Sequence, residues 1–246
     1  KDQLLKDIEF THCSEKNIAL MGLSGVGKST LAEIMLKLTD SQFGVVTWFG
    51  NKNLSESEFR SRAQYVFQDC ERALAWEEGT LEEVVLLLSN VTGEKQESEL
   101  ITTMNELLAE LGLLEKKQNQ INQLSGGQQR RAFLVRALLV ILRNTKPGVP
   151  TVLVLDEATV GLDLTTQFGL LDLLHHYSKS KYPELSLVVI SHDPIVLRFI
   201  CDQFLIIYSD ENKESGASIV ETLDKEQFVT GPYKHKHTER LLEAVY

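Results

Sequence analysis

Cysteine is scarce: Cys13, Cys70 and Cys201 lie far apart, and no C-x-x-C pair occurs. No run of ligands is therefore available for zinc or an iron–sulfur cluster, and a reducing cytoplasm is the simplest home. Long apolar runs are missing too. Stretches such as Leu138 to Leu142 fall far short of the roughly 20 residues that a membrane-spanning helix needs, so work at a membrane has to pass through partners. Positive charge is in deficit, with 25 Lys and Arg against 35 Asp and Glu and a net charge of -10. That balance argues against a general nucleic-acid or lipid-headgroup binder, which needs a basic face to meet phosphates, but it leaves room for a local basic pocket. Internal repeats and low-complexity linkers are absent. Position 1 is Lys rather than Met, and nothing like a signal peptide follows it. The native start is therefore expected upstream.

What is present suits a globular chain. With 246 residues and 43% hydrophobic content, it can bury one large core or a core plus a small subdomain. Ile18 to Met21 is a short apolar run ending in a glycine-rich turn, and a helical pattern opens at Lys28 and continues through Leu31, Ile34, Met35 and Leu38. The stretch from Gly44 to Gly50 alternates like a strand, and a second strand is predicted at Gln64 to Phe67. Between Thr80 and Leu114 the period turns helical: Leu81, Val84, Val85 and Leu88 share one face, and Leu100, Met104, Leu107, Leu108 and Leu111 another. We read this as a helical insert. A further helix opens at Ser125 and runs to about Leu142. The turn signals from Asn144 to Pro150 separate it from the strand TVLVLD, and another strand, LVVIS, ends at His192. Alternating helices and mostly apolar strands indicate α/β architecture with a mostly parallel sheet.

Residues 22 to 30 read GLSGVGKST. They fit G-x-x-x-x-G-K-[ST] between a predicted strand and a predicted helix, the context this P-loop motif requires. Gly22, Gly25 and Gly27 let the chain curl so that backbone N–H groups, including those of Ser24 and Val26, turn inward toward an anion. The helix start adds favourable potential for phosphate. Lys28 is placed to bridge β- and γ-phosphates, Ser29 to ligate Mg2+, and Thr30 to reach the α-phosphate. A tight strand-to-helix turn would also use glycine, but motif and context together favour the nucleotide. The loop alone does not choose among kinases, GTPases and motor ATPases.

Residues 124 to 131 read LSGGQQRR. This resembles the LSGGQ signature of the ABC ATPases. Ser at a helix start is ordinary capping chemistry, yet capping predicts neither the full pentapeptide nor its place in the chain. The resemblance implies a P-loop NTPase core with an N-terminal antiparallel β portion and an inserted α-helical subdomain. It also implies that Ser125, Gly126, Gly127 and Gln128 meet the γ-phosphate of ATP held by an opposite subunit, so that one chain carries two half-sites. In the same pattern Asp156 supports Mg2+ through water, and Glu157 polarises the attacking water as general base. Gln68, in YVFQD, matches the glutamine that touches Mg2+ and the attacking water. His192, in VVISHD, matches the histidine that contacts the γ-phosphate, and Asp163, in TVGLD, the aspartate at the dimer interface, where S-A-L-D is commoner. Read singly, two acids after a strand are a helix N-terminus, a strand-end His is structural, and a Gln is surface. The motifs gain their force from their order. They span about Lys6 to Ile207.

The resemblance also implies an organisation and partners. The core is expected at 1–70 and 145–246, with a helical subdomain at 71–144. Cofactors are ATP and Mg2+. RAQYVFQDCERAL, GVVTWFGNKNL and GPYKHKHTERLLEAV are similar to the peptide and nickel importer branch, although Ala73-Leu74 is followed by Ala75-Trp76 rather than Asn-Pro. That branch implies a second ATPase subunit, identical or related, two integral membrane permease subunits and an extracytoplasmic solute-binding protein, at the cytoplasmic face of the bacterial inner membrane, with no nucleic acid. His235 and His237 form an H-x-H pair, but a structural metal site normally needs four ligands. The aromatic residue on which the family stacks adenine is not identified, and Phe10 lies in the wrong place for it. RNTKPGVP reads as an extra surface loop. A chromosome-organising ABC ATPase would carry long coiled coils, which sustained heptads would betray and this chain lacks. An exporter ATPase remains the other transport reading.

Overall fold

The computed structural model describes residues 4–12, 15–50, 54–70, 74, 77–88, 97–210 and 216–243. Strands β1 (Ile18–Met21), β2 (Ala63–Val66), β3 (Thr151–Asp156), β4 (Leu185–Ile190), β5 (Gln203–Tyr208) and β6 (Ser218–Asp224) form a sheet in the order β2-β3-β4-β1-β5-β6. The first five run parallel and β6 runs antiparallel to β5. Every residue of β1, β3 and β4 is buried, which is why these strands read as unbroken apolar runs.

The pleat sends successive side chains to opposite faces. Leu153 and Leu155 therefore enter one core and Val152 and Val154 another. The first core is filled by α5 (Gly126–Asn144), with α3 (Leu81–Leu88), α4 (Glu97–Glu110), α6 (Leu164–His176) and α7 (Pro194–Ile200) around it. The second lies under α1 (Lys28–Met35), where Leu31, Ala32 and Met35 pack with Trp48 and with Phe59 of α2 (Glu56–Arg62). The expected apolar faces hold: Leu81, Val84, Val85, Met104, Leu107, Leu108 and Leu111 are buried, and Leu100 packs against them. The Leu88 side chain lies outside the described residues. Among the described residues, no helix is long and apolar enough to cross a membrane.

Antiparallel pairing lies between β5 and β6, and Leu5 makes an isolated parallel bridge to Ala217. Residues 44–50 form no named strand, despite their alternation. Positive φ at Gly44, Phe49 and Gly50 breaks the extended run, and the indole of Trp48 donates to the Met35 carbonyl and fixes the segment on α1. The loop after α5 is held down: Lys146 and Val149 bridge, Gly148 N donates to Glu184, and the Arg62 guanidinium donates to the Pro150 carbonyl at 3.0 and 3.1 Å. Cys13 and much of the 71–76 segment lie outside the described residues.

Candidate functional site

Parallel strands deliver their C-terminal ends to one side of the sheet, and ligands gather there. β1 runs into the phosphate loop, β2 leads to Gln68, β3 ends at Asp156 and Glu157, and β4 leads to His192. Together they line a cavity of about 260 Å3, with Ser24, Gly25, Gly27, Lys28, Ser29 and Thr30 forming one wall and Leu4 and Ile190 completing it.

Two of the loop's glycines are required by close neighbours as well as by conformation. At Gly22 (φ 154°) a Cβ would lie 2.3 Å from the Ile207 carbonyl oxygen, and at Gly27 (φ 103°) one would lie 2.8 Å from Leu5 Cδ2. The Gly22 clash is with backbone and cannot be relieved by a side-chain shift, while at Gly27 the left-handed φ strains any side chain even if Leu5 moves. Lys28 is buried, and its Nζ donates to the carbonyls of Gly22 and Leu23 at 2.9 and 3.0 Å. Burial lowers its pKa, and the nearby Glu157 and Asp156 carboxylates oppose that shift.

The two acids are held differently. Asp156 is buried, and its Oδ2 accepts from the Tyr65 hydroxyl at 2.8 Å. Glu157 turns off the strand with a left-handed φ of 52°, while its N–H donates to the Ile190 carbonyl at 2.9 Å. Its carboxyl is pushed above the ordinary range by burial, then by Asp156, with Lys28 opposing. His192 Nε2 stands 3.4 Å from Glu157 Oε1, yet that buried oxygen has no hydrogen-bond partner among the described residues. The two groups are close, but the alignment does not make a hydrogen bond. Burial and the Lys28 charge lower the His192 pKa, so the imidazole is neutral at pH 7. The result is one lysine, two acids held in different ways and a neutral imidazole, an arrangement suited to holding a polyphosphate and accepting a proton beside it.

The signature residues are built elsewhere. Ser125 caps α5: its hydroxyl accepts from Gln128 N at 3.3 Å, and the Gln128 side chain accepts from Ser125 N at 2.9 Å. Ser125 and Gly126 are exposed. A Cβ on Gly126 would meet nothing within 4 Å, and one on Gly127 only Leu162 at 3.7 Å. Asp163 is exposed and caps α6, accepting from Thr166 N at 3.0 Å and Thr166 Oγ1 at 2.7 Å. None of these residues lines the cavity. Gly22 and Val26 also stay out of its wall: Gly22 gives the carbonyl that holds Lys28, and Val26 enters the core under α1. His235 and His237 pack their rings on Tyr208, with centroids 5.4 and 4.2 Å away.

Sequence reasoning missed Leu4, Tyr65, Ile190 and Arg130. The Arg130 guanidinium donates from Nη2 to the Gln68 carbonyl at 3.0 Å and from Nη1 to the Val160 carbonyl. It thereby ties α5 to the segments that carry Gln68 and Asp163. Its place in LSGGQQRR was the only available signal, and it does not tell which Arg turns back toward the sheet.

The family model described as ABC transporter matches residues 5–160. The chain belongs to the ABC transporter family. It is an ATP hydrolase of the ABC type. It is 28% identical over 247 aligned positions to the oligopeptide transport ATP-binding protein OppF of Haemophilus influenzae, covering 98% of this chain and 69% of that protein. It is also 28% identical to AmiF, an oligopeptide transport ATP-binding protein of Streptococcus pneumoniae, with 98% and 75% covered. Among solved structures, a dimeric ATP-binding cassette, MJ0796, in a post-hydrolysis state with ADP and Pi superposes with a TM-score of 0.72 at 27% identity, covering 90% of each chain. A bacterial Atm1-family ABC exporter with ATP bound gives a TM-score of 0.75 at 16% identity, over 98% of this chain and 39% of the other. The exporter shares the fold and carries no more than that.

Proposed function

We propose that this ABC ATPase energises uptake of a solute of the peptide, nickel or metal-chelate class across the bacterial inner membrane. In this reading it sits at the cytoplasmic face with a second ATPase subunit, two permease subunits and an extracytoplasmic binding protein. The importer direction rests on the resemblance of three sequence segments and on the similarity to OppF and AmiF. The core spans 1–70 and 145–246, and 71–144 is the helical subdomain that bears the signature.

One observation carries the mechanistic reading. The cavity presents a phosphate loop, a lysine, two acids, a glutamine and a histidine at one end of the sheet, while the capped start of α5 is exposed outside it. Each of these is half of an ATP site, so closure needs a second subunit whose α5 start meets the γ-phosphate. Ser24, Gly25, Val26 and Gly27 offer backbone N–H groups, and Lys28 and Thr30 hold phosphate oxygens. The oxygen-rich set of Ser29, Gln68 and Asp156 fits Mg2+, a hard cation that prefers oxygen ligands. When bound, Mg2+ supplies neutralisation of the phosphate charge. Glu157, whose Oε1 has no hydrogen-bond partner among the described residues, accepts the proton of the attacking water. Gln68 and neutral His192 orient that water and the γ-phosphate, and Ser125, Gly126, Gly127, Gln128 and Asp163 act across the interface.

Two measurements test the reading. Lys28→Ala should abolish the thermal stabilisation that ATP gives, which at 100 times Kd amounts to about 2.7 kcal/mol; an undiminished ATP-dependent rise in Tm counts against the phosphate-loop assignment. Purification of the tagged chain from native membrane should bring down a second ATPase, two membrane subunits and an extracytoplasmic binding protein. Recovery of nucleic acid or ribosomes, or of an exporter, overturns the importer reading.

A further inference from the structure

Tyr65 stands on β2, an edge strand, and its Cα pairs with Val154 on β3. Asp156 lies two residues further along β3, on the same face as Val154 by the pleat. A side chain on a neighbouring strand can reach such a diagonal position if it is long, and the phenol does so: its hydroxyl donates to Asp156 Oδ2 at 2.8 Å. The ring leans on Phe67, with centroids 6.0 Å apart, and packs against the core under α1. Ring and hydroxyl are thus both committed, the ring to packing and the hydroxyl to one carboxylate oxygen.

That oxygen belongs to a buried group. A carboxylate offers two oxygens with several acceptor sites, and it can turn about its last bond unless something holds it. We infer that Tyr65 is a positioning residue for Mg2+, its phenol fixing Oδ2 and so the orientation of the Asp156 carboxylate in the cavity. The inference rests on the reading of Asp156 as the Mg2+-side carboxylate. A phenol suits the task because its hydroxyl, which ordinarily ionises only near pH 10, carries a proton to donate at pH 7. Groups that hold a metal-binding carboxylate from behind typically contribute 10–100-fold to metal affinity or activity. Tyr65 is not among the residues that line the cavity, and its removal should leave the nucleotide's own contacts in place.

The test is a Mg2+ titration of the full-length chain, read as the affinity of a fluorescent ATP analogue. In Tyr65→Phe the affinity without Mg2+ should stay within about two-fold of wild type, and the Mg2+ concentration giving half the metal-dependent gain should rise at least about ten-fold. Excess Mg2+ should then restore wild-type affinity, with Tm little changed. A merely structural hydroxyl would instead weaken binding with and without Mg2+ and would not respond to excess metal; that outcome, or an unchanged midpoint, overturns the inference. Asp156→Asn in the same titration separates the two readings. If it leaves the midpoint unmoved, the Mg2+ assignment of Asp156 fails. If it shifts the midpoint while Tyr65→Phe does not, only the role of Tyr65 falls.

Discussion

Glu157 carries two costs in the cavity. Its left-handed φ is a conformation that costs a non-glycine residue of order 1–3 kcal/mol, and its carboxyl is buried beside Asp156. Both costs are borne by the residue proposed to take the proton. Glu157→Gln keeps the shape and removes the acceptor, so ATP turnover of the assembled complex should fall about 10² to 10⁴-fold, while ATP affinity holds or rises. The sign of the stability change is also fixed. The folded pKa is raised above the unfolded value, so ionising Glu157 costs folding energy once pH exceeds the unfolded pKa, and the cost is complete above the raised folded value. Removing the charge should therefore leave the Tm at pH 7 equal or higher, and a clear drop would count against the raised pKa. The same shift places the acid limb of kcat/KM above pH 4.5, the ordinary glutamate value. A profile flat down to that pH would remove Glu157 from the role of base and leave His192 as the next candidate. The identities of Lys28, Asp156, Glu157 and His192 were legible because motifs are local. Tyr65 was not, since its partner lies 91 residues away and the pairing depends on strand register.

At the level of elements, the glycines of the loop and those of the signature are glycines for different reasons. Gly22 is packed against its own chain, so Gly22→Ala should disturb the fold, its Cβ lying 2.3 Å from the Ile207 carbonyl oxygen. Gly126 has open space on its Cβ side. Its substitution should therefore be silent within the chain: Gly126→Ala and Gly126→Asp should fold with nearly wild-type Tm and bind ATP as isolated chains. In the complex, Gly126→Asp should stop hydrolysis, because a carboxylate would confront the partner's γ-phosphate. Normal turnover by that complex would show that the start of α5 does not act on a second subunit. Helices α3, α4 and α5 were readable from their apolar period. The region 44–50 was misread because alternation cannot report positive φ at Phe49 or the anchoring of Trp48 to α1. Arg130 illustrates the other limit. A residue that joins two loops through their carbonyls leaves no pattern in either loop.

Over the whole molecule, the parallel sheet was legible from strands buried on both faces, but its order was not, because β1 pairs with strands far along the chain. Its neighbours are β4 and β5, and Leu4 and Lys6 are tied to Ala217 by backbone hydrogen bonds. This order has a consequence for synthesis. A ribosome delivers the phosphate-loop residues before residues 185–206, which hold the neighbours of their supporting strand among the described residues, and before Ala217, to which Leu4 is bonded. Long-range pairing of this kind is slow and leaves apolar strands exposed meanwhile. A stalled nascent chain released only as far as Glu184 should therefore fail to retain an ATP analogue, and one released beyond Asp224 should retain it. Until those residues emerge, the motif is present on the nascent chain without being a site.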